Sequence, residues 1–313
     1  MSAFSVSLFA VAMLLLIAVP GYLLMKKKML SESCIPGFSK ILLFVCQPCL
    51  AMYSFRDVPF SLEMLANIGT FAILIIIVHA LMLTGSYLFL KEKCKDPIYR
   101  IITIGTTFGN CAFFGIPIIE ALLPDSASGL IVYTTVYAVV MNVIGWTVGS
   151  AIIAQDSKYI SIKKIFINPA MIGALAALLV YVLKIDFPSD MDSMIECTAR
   201  MATPLSMLVM GMRLATMKFS EMFSDKRIYL TIAVKQLIMP LIAFGVVMLV
   251  GFVDLDLRKT LFITCACPVA SIVLNFSEII GQGQKSAANL VLVGTILSIV
   301  TLPLVMLLFP FIK

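Results

Sequence analysis

The chain has 313 residues, 61% of them hydrophobic and 13% charged, with a mean hydropathy of +1.07. Soluble domains carry about 45–50% apolar and about 25% charged residues, so the composition excludes an ordinary soluble enzyme or binding module and points to an integral membrane protein. The net charge of +6 calls for no nucleic-acid partner, because basic residues collect in the cytoplasmic loops of membrane proteins.

Taken in chain order, the apolar runs predict ten membrane segments, at 4–24, 34–54, 65–90, 98–123, 127–154, 163–183, 192–213, 228–251, 258–281 and 286–311. Each is close to the roughly 20 residues a helix needs to cross the hydrocarbon. The first follows Met1 without a basic leader and is too long for a signal-peptide core, so it reads as a retained helix. The loops are short and leave little but the membrane bundle. Of the 23 Lys and Arg residues, 15 fall in the loops after segments 1, 3, 5, 7 and 9, Lys158 among them, and 5 on the other side. That bias puts the odd-numbered loops in the cytoplasm and both termini outside; the expected location is the cell membrane, with multiple passes. The eight cysteines lie mostly in apolar runs without metal-site spacing and read as packing residues.

The two halves, 1–155 and 156–313, carry matching polar interruptions. Segment 4 holds Asn110, Pro117 and Glu120; segment 9, 158 residues later, holds Pro268, Asn275 and Glu278. Asn and Pro exchange places and Glu is held. Pro48 in CQPCLAM and Pro204 in ATPLSM match at a similar offset. Each half has five segments, so the second enters the membrane from the opposite side. Paired Gly/Pro-interrupted segments in opposed halves are the mark of a transporter with an inverted repeat.

Proline removes a donor and clashes with the carbonyl four residues back. In lipid the freed groups survive only where protein or a water-filled cavity covers them. Segments 4 and 9 are therefore expected to be interior and discontinuous, with half-helix ends near the midplane that attract ions. Pro20, Pro169, Pro240 and Pro303 are expected to be simple kinks. Glu120 and Glu278, each three residues beyond the expected break, serve either proton or sodium coupling or only mark where the helix regains water. His79 reads as a proton relay or a hydrogen-bonded interior histidine. Lys235 either snorkels to the cytoplasm or faces the cavity and attracts an anion. Glu196 and Arg200, spaced i, i+4, are expected to pair. No phosphate loop, HExxH or nucleophile elbow is present, so no enzyme is expected, nor a pump with its own ATPase.

These residues carry a resemblance. GNCAFFGIPIIEALLP (109–124), ATPLSMLVMGMRL (202–214), KQLIMP (235–240) and CPVASIVLNFSEIIGQ (267–282), with the ten-segment plan, resemble the auxin efflux carrier family of membrane transporters in its short-loop bacterial form. The resemblance implies the fold of bile acid sodium symporters and sodium/proton antiporters. Segments 1, 2, 6 and 7 would form a scaffold and segments 3–5 and 8–10 a transport domain moving as an elevator. Segments 4 and 9 would cross at the substrate site, near Asn110, Gly115, Pro117, Pro268 and Asn275. Family members move organic anions such as auxin, malate or malonate. The chain lacks the long central loop of plant auxin carriers and the Asp-Asp pair of many antiporters.

The expectation is an all-α polytopic transporter of a small organic anion, working by alternating access without a bound cofactor other than a coupling Na+ or H+. The alternative is a sodium-coupled bile acid type symporter, with sodium at Asn110 and Glu278. A non-transporting receptor is the third reading, and a homodimer through the scaffold helices is expected by analogy.

Overall fold

The computed structural model describes residues 1–156, 162–218, 222 and 225–313; Lys158 lies outside them. The described residues form helices joined by short turns, with no strand apart from a single antiparallel bridge. Among the described residues six helices are long and apolar enough to span a membrane: α1 (Ala3–Lys26), α2 (Glu32–Arg56), α3 (Leu62–Lys93), α6 (Ala127–Ala154), α11 (Lys226–Leu249) and α14 (Gln284–Phe311). The shorter helices are α4 (Pro97–Gly105), α5 (Cys111–Leu122), α7 (Ile162–Ile167), α8 (Pro169–Leu183), α9 (Ser189–Arg200), α10 (Ala202–Thr216), α12 (Leu255–Ala266) and α13 (Ile272–Ile280). Phe9, Met13, Leu16 and Leu23 of α1 and Ile172, Leu179 and Leu183 of α8 are exposed. Such apolar belts are stable facing lipid rather than water.

Glycine sets how closely two pairs of helices approach. A Cβ on Gly211 of α10 would lie 1.9 Å from the carbonyl oxygen of Ala18 in α1, and one on Gly173 of α8 would lie 2.6 Å from Cα of Pro48 in α2. Backbone contact through small residues is the usual device where lipid removes any hydrophobic drive between helices. α2 also packs on α9, whereas α3 packs on α6, and α11 on α12.

The prolines behave less uniformly than a kink rule predicts. A widened π turn ends two residues before Pro48 (Leu42–Cys46), Pro117 (Cys111–Gly115) and Pro240 (Val234–Ile238). The wider turn accommodates the missing N–H without breaking the helix. Pro169 is not a kink: it opens α8, where Asn168 accepts a hydrogen bond from the Ala170 N–H and caps the helix. Pro20 and Pro303 lie inside continuous helices.

Candidate functional site

Two interruptions face each other at the centre of the bundle. α4 ends at Gly105 and α5 starts at Cys111; α12 ends at Ala266 and α13 starts at Ile272. Between them the chains run antiparallel through Gly109 and Val269. The Asn110 N–H donates to the Pro268 carbonyl at 2.8 Å, and the Ala270 N–H donates to the Phe108 carbonyl at 3.0 Å. Each break thus satisfies backbone groups of the other, as a bilayer interior requires. Gly109 leaves room for this approach. A Cβ there would lie 3.0 Å from Tyr137 Oη, 3.2 Å from Lys235 Nζ and 3.4 Å from the Thr264 carbonyl.

The break in segment 4 is not where proline suggested. The chain unwinds over Thr106–Asn110, and Pro117 sits inside the resumed helix, its missing N–H absorbed by the π turn. In segment 9 the unwound stretch does contain its proline, Pro268. Glu120 and Glu278 therefore lie well beyond the breaks, not three residues from them.

Asn110 and Asn275 line one cavity of about 390 Å³ together with Gln47, Asn142, Trp146, Asn168, Ser271 and Glu278. α5 and α13 both begin at this cavity, and the first turn of a helix leaves N–H groups without intrahelical partners and carries partial positive charge. Asn142 and Asn168 are committed elsewhere: Asn168 Nδ2 donates to Asn142 Oδ1 at 2.9 Å, and Asn142 Nδ2 donates to the Ala138 carbonyl at 2.8 Å. The side-chain amides of Asn110 and Asn275 have no hydrogen-bond partner among the described residues. The wall includes an edge-to-face pair, Trp146 and Phe276, with centroids 4.8 Å apart. Among the described residues no Lys or Arg lines this cavity.

The other expected site residues fall elsewhere. Gly115 packs against Cys267 Sγ, and Pro117 and Glu120 line a separate pocket beside Tyr53 and Arg200. Glu278 stands at the cavity rim, exposed, 3.3 Å from Arg213 Nη1 of α10. His79 is a buried, hydrogen-bonded histidine: Nδ1 lies 2.9 Å from the Ile75 carbonyl, and the ring meets Tyr137 edge-on. Lys235 follows neither expected course. It is fully buried, and its Nζ donates to the carbonyls of Cys265 and Cys267, both at 2.9 Å. Arg200 pairs with Glu196 at 2.8 Å as its spacing predicts, and Arg56 joins the same carboxylate.

Sequence reasoning missed Asn142, Trp146, Asn168 and Arg213. An asparagine in the apolar run VVMNVIGW was a usable signal, since polar residues in a membrane helix are costly. Arg213 carried none, because it looked like one more cytoplasmic loop charge.

No curated protein matches the chain. The family model described as membrane transport protein matches residues 6–306. The chain therefore belongs to that family of membrane transporters, the auxin efflux carrier family.

Proposed function

We propose that this transporter is a secondary carrier of a small organic anion, a carboxylate or dicarboxylate, working by alternating access. The observation that carries the reading is the cavity at the paired breaks. Two side-chain amides without partners, Asn110 and Asn275, and the starts of two half-helices converge there. An anion held by amides and helix ends meets donors without a full salt bridge, so it can leave as well as enter. The aromatic wall at Trp146 and Phe276 accommodates the apolar part of a substrate.

We read the chain as ten spans in two inverted halves, with α4–α5 and α12–α13 each one interrupted span. The meeting of the breaks near equivalent positions supports this. The close packing of α1 on α10 and of α2 on α8 and α9 supports a scaffold against which the remaining helices move as an elevator. The Arg213–Glu278 pair joins α10 to α13 across that boundary and would break and re-form as the site changes sides. The basic-residue bias favours both termini outside, and the family resemblance favours a cell-membrane location and a homodimer through the scaffold.

The sodium-coupled reading has one observation in its favour: Asn110 and Glu278 line the same cavity. A single screen tests both. Purified protein in proteoliposomes is loaded with unlabelled malate, malonate or indole-3-acetate, and counterflow of the labelled anion is measured with and without imposed sodium and proton gradients. Saturable counterflow of at least one anion, lost in both Asn110→Ala and Asn275→Ala, is expected. Counterflow unchanged in both variants would place the site elsewhere, and acceleration by a sodium gradient would select the symporter.

A further inference from the structure

The cavity uses one face of the paired breaks; Lys235 occupies the other. Its Nζ reaches from the middle of α11 to the carbonyls of Cys265 and Cys267 at the end of α12. Those carbonyls are bare for a local reason. Cys267 is extended (φ −60°, ψ 147°), as residues before proline tend to be, so the helical ladder stops there. The residue that follows, Pro268, brings no N–H of its own. The same ammonium lies close under Gly109 of the opposite break. Among the described residues, none of the ion pairs includes Lys235.

An unpaired buried cation costs several kcal/mol, so its surroundings must return that energy. Here the return comes from backbone: two carbonyl oxygens and the negative end of α12. Bare carbonyls at the C-terminal end of an unwound membrane half-helix are the chemistry that coordinates small monovalent cations in carriers. In this chain that position is filled by a side chain. The neighbouring Gln236 fixes the helix that delivers it, its Nε2 donating to the Gly294 carbonyl of α14 at 2.7 Å.

We propose that Lys235 is a built-in cation: its ammonium takes the carbonyl site at the paired breaks that a free monovalent cation would otherwise occupy, so the site needs no bound metal ion there. Only the consequence for transport rests on the carrier reading above; the occupancy is a property of the folded protein and can be tested without substrate.

The test is thermal melting of the purified full-length protein in sodium, choline or methylammonium chloride at equal ionic strength. With the other candidate sodium site removed, in Asn110→Ala/Glu278→Gln, the protein is expected to melt at the same temperature in sodium as in choline. Lys235→Ala is expected to melt lower in choline. It should recover by a few degrees, saturably, with methylammonium or sodium, because a cation that binds only the native state stabilises it by mass action. Lys235→Arg, which keeps the charge, is expected to show no recovery. Saturable stabilisation by sodium over choline that persists in the Asn110→Ala/Glu278→Gln variant, which lacks the other candidate sodium site, would overturn the proposal. So would a folded Lys235→Ala that melts like wild type in choline, or that neither cation restores. Should Lys235→Ala not fold, binding of labelled sodium to Asn110→Ala/Glu278→Gln decides: saturable binding overturns the proposal and its absence supports it. Because no transported anion is present, failure here leaves the carrier reading standing, and unchanged counterflow in the asparagine variants leaves this one standing.

Discussion

The two interruptions share a backbone path but close their carbonyls in different ways. At the first, the chain serves itself. The Thr106 N–H returns to the Ile102 carbonyl, the Thr107 and Phe108 N–H groups both return to Ile104, and the Thr106 hydroxyl donates to the Thr103 carbonyl. At the second, Pro268 and the extended Cys267 leave the carbonyls of Cys265 and Cys267 to a lysine from α11. Beside the two bonds the breaks exchange, the first thus relies on its own N–H groups and hydroxyl, whereas the second also draws on a distant cation. The difference teaches that two interruptions with matching residues need not carry matching chemistry: the backbone paths can pair while the charge that stabilises them sits on one side only.

The largest effect that would test this comparison is at the contact itself. Gly109→Val places side-chain atoms against Tyr137, Lys235 and the Thr264 carbonyl, and overpacking of this kind costs about 1–3 kcal/mol. A clear fall in melting temperature and loss of transport are expected; an unchanged melt would show that the two breaks do not approach as closely as described. Next come the asparagines. Losing a hydrogen bond to a charged ligand costs about 1.5–3 kcal/mol, so Asn110→Ala and Asn275→Ala should each weaken binding of the transported anion by roughly 10- to 150-fold, read by equilibrium binding. A loss in only one variant would assign the substrate to a single half.

The prolines separate the breaks more finely. Pro117 lies within a helix whose π turn already absorbs it, so Pro117→Ala should stay within about 1 kcal/mol of wild type and keep transport. Pro268→Ala releases Cys267 from its extended conformation, and transport should fall more than stability. Equal effects from both would contradict the difference drawn here. The smallest effect is at the rim. Glu278 and Arg213 form a partly exposed pair, worth at most about 1 kcal/mol. Glu278→Gln should barely move the melting temperature, while weakening the dependence of transport rate on ionic strength.

Much of the architecture was readable from residues alone. Of the ten apolar runs, six correspond to helices long and apolar enough to span a membrane among the described residues, because a helix in lipid must be apolar along its whole length. The paired Asn, Pro and Glu of segments 4 and 9 marked the two interrupted helices, and the asparagines do line one cavity. Their positions within the helices were less legible. Proline announces a missing donor, yet at Pro117 a π turn restored the helix and the chain unwound earlier, at Thr106–Asn110. Glu278 was flagged for coupling without its partner, since Arg213 comes from a helix 65 residues away in sequence.

The sequence by itself determined that this is a multi-span membrane transporter, and which two of its apolar stretches are interrupted, because the energetic cost of polar groups in lipid is written one residue at a time. Only the tertiary structure decided what each interruption does with its freed backbone. Gly109 lies against Val269, Asn110 faces the cavity, and Lys235 turns inward to two carbonyls rather than outward to water. A donor and its acceptor can lie 30 residues apart on different helices, and no local pattern states which carbonyl a buried lysine will find.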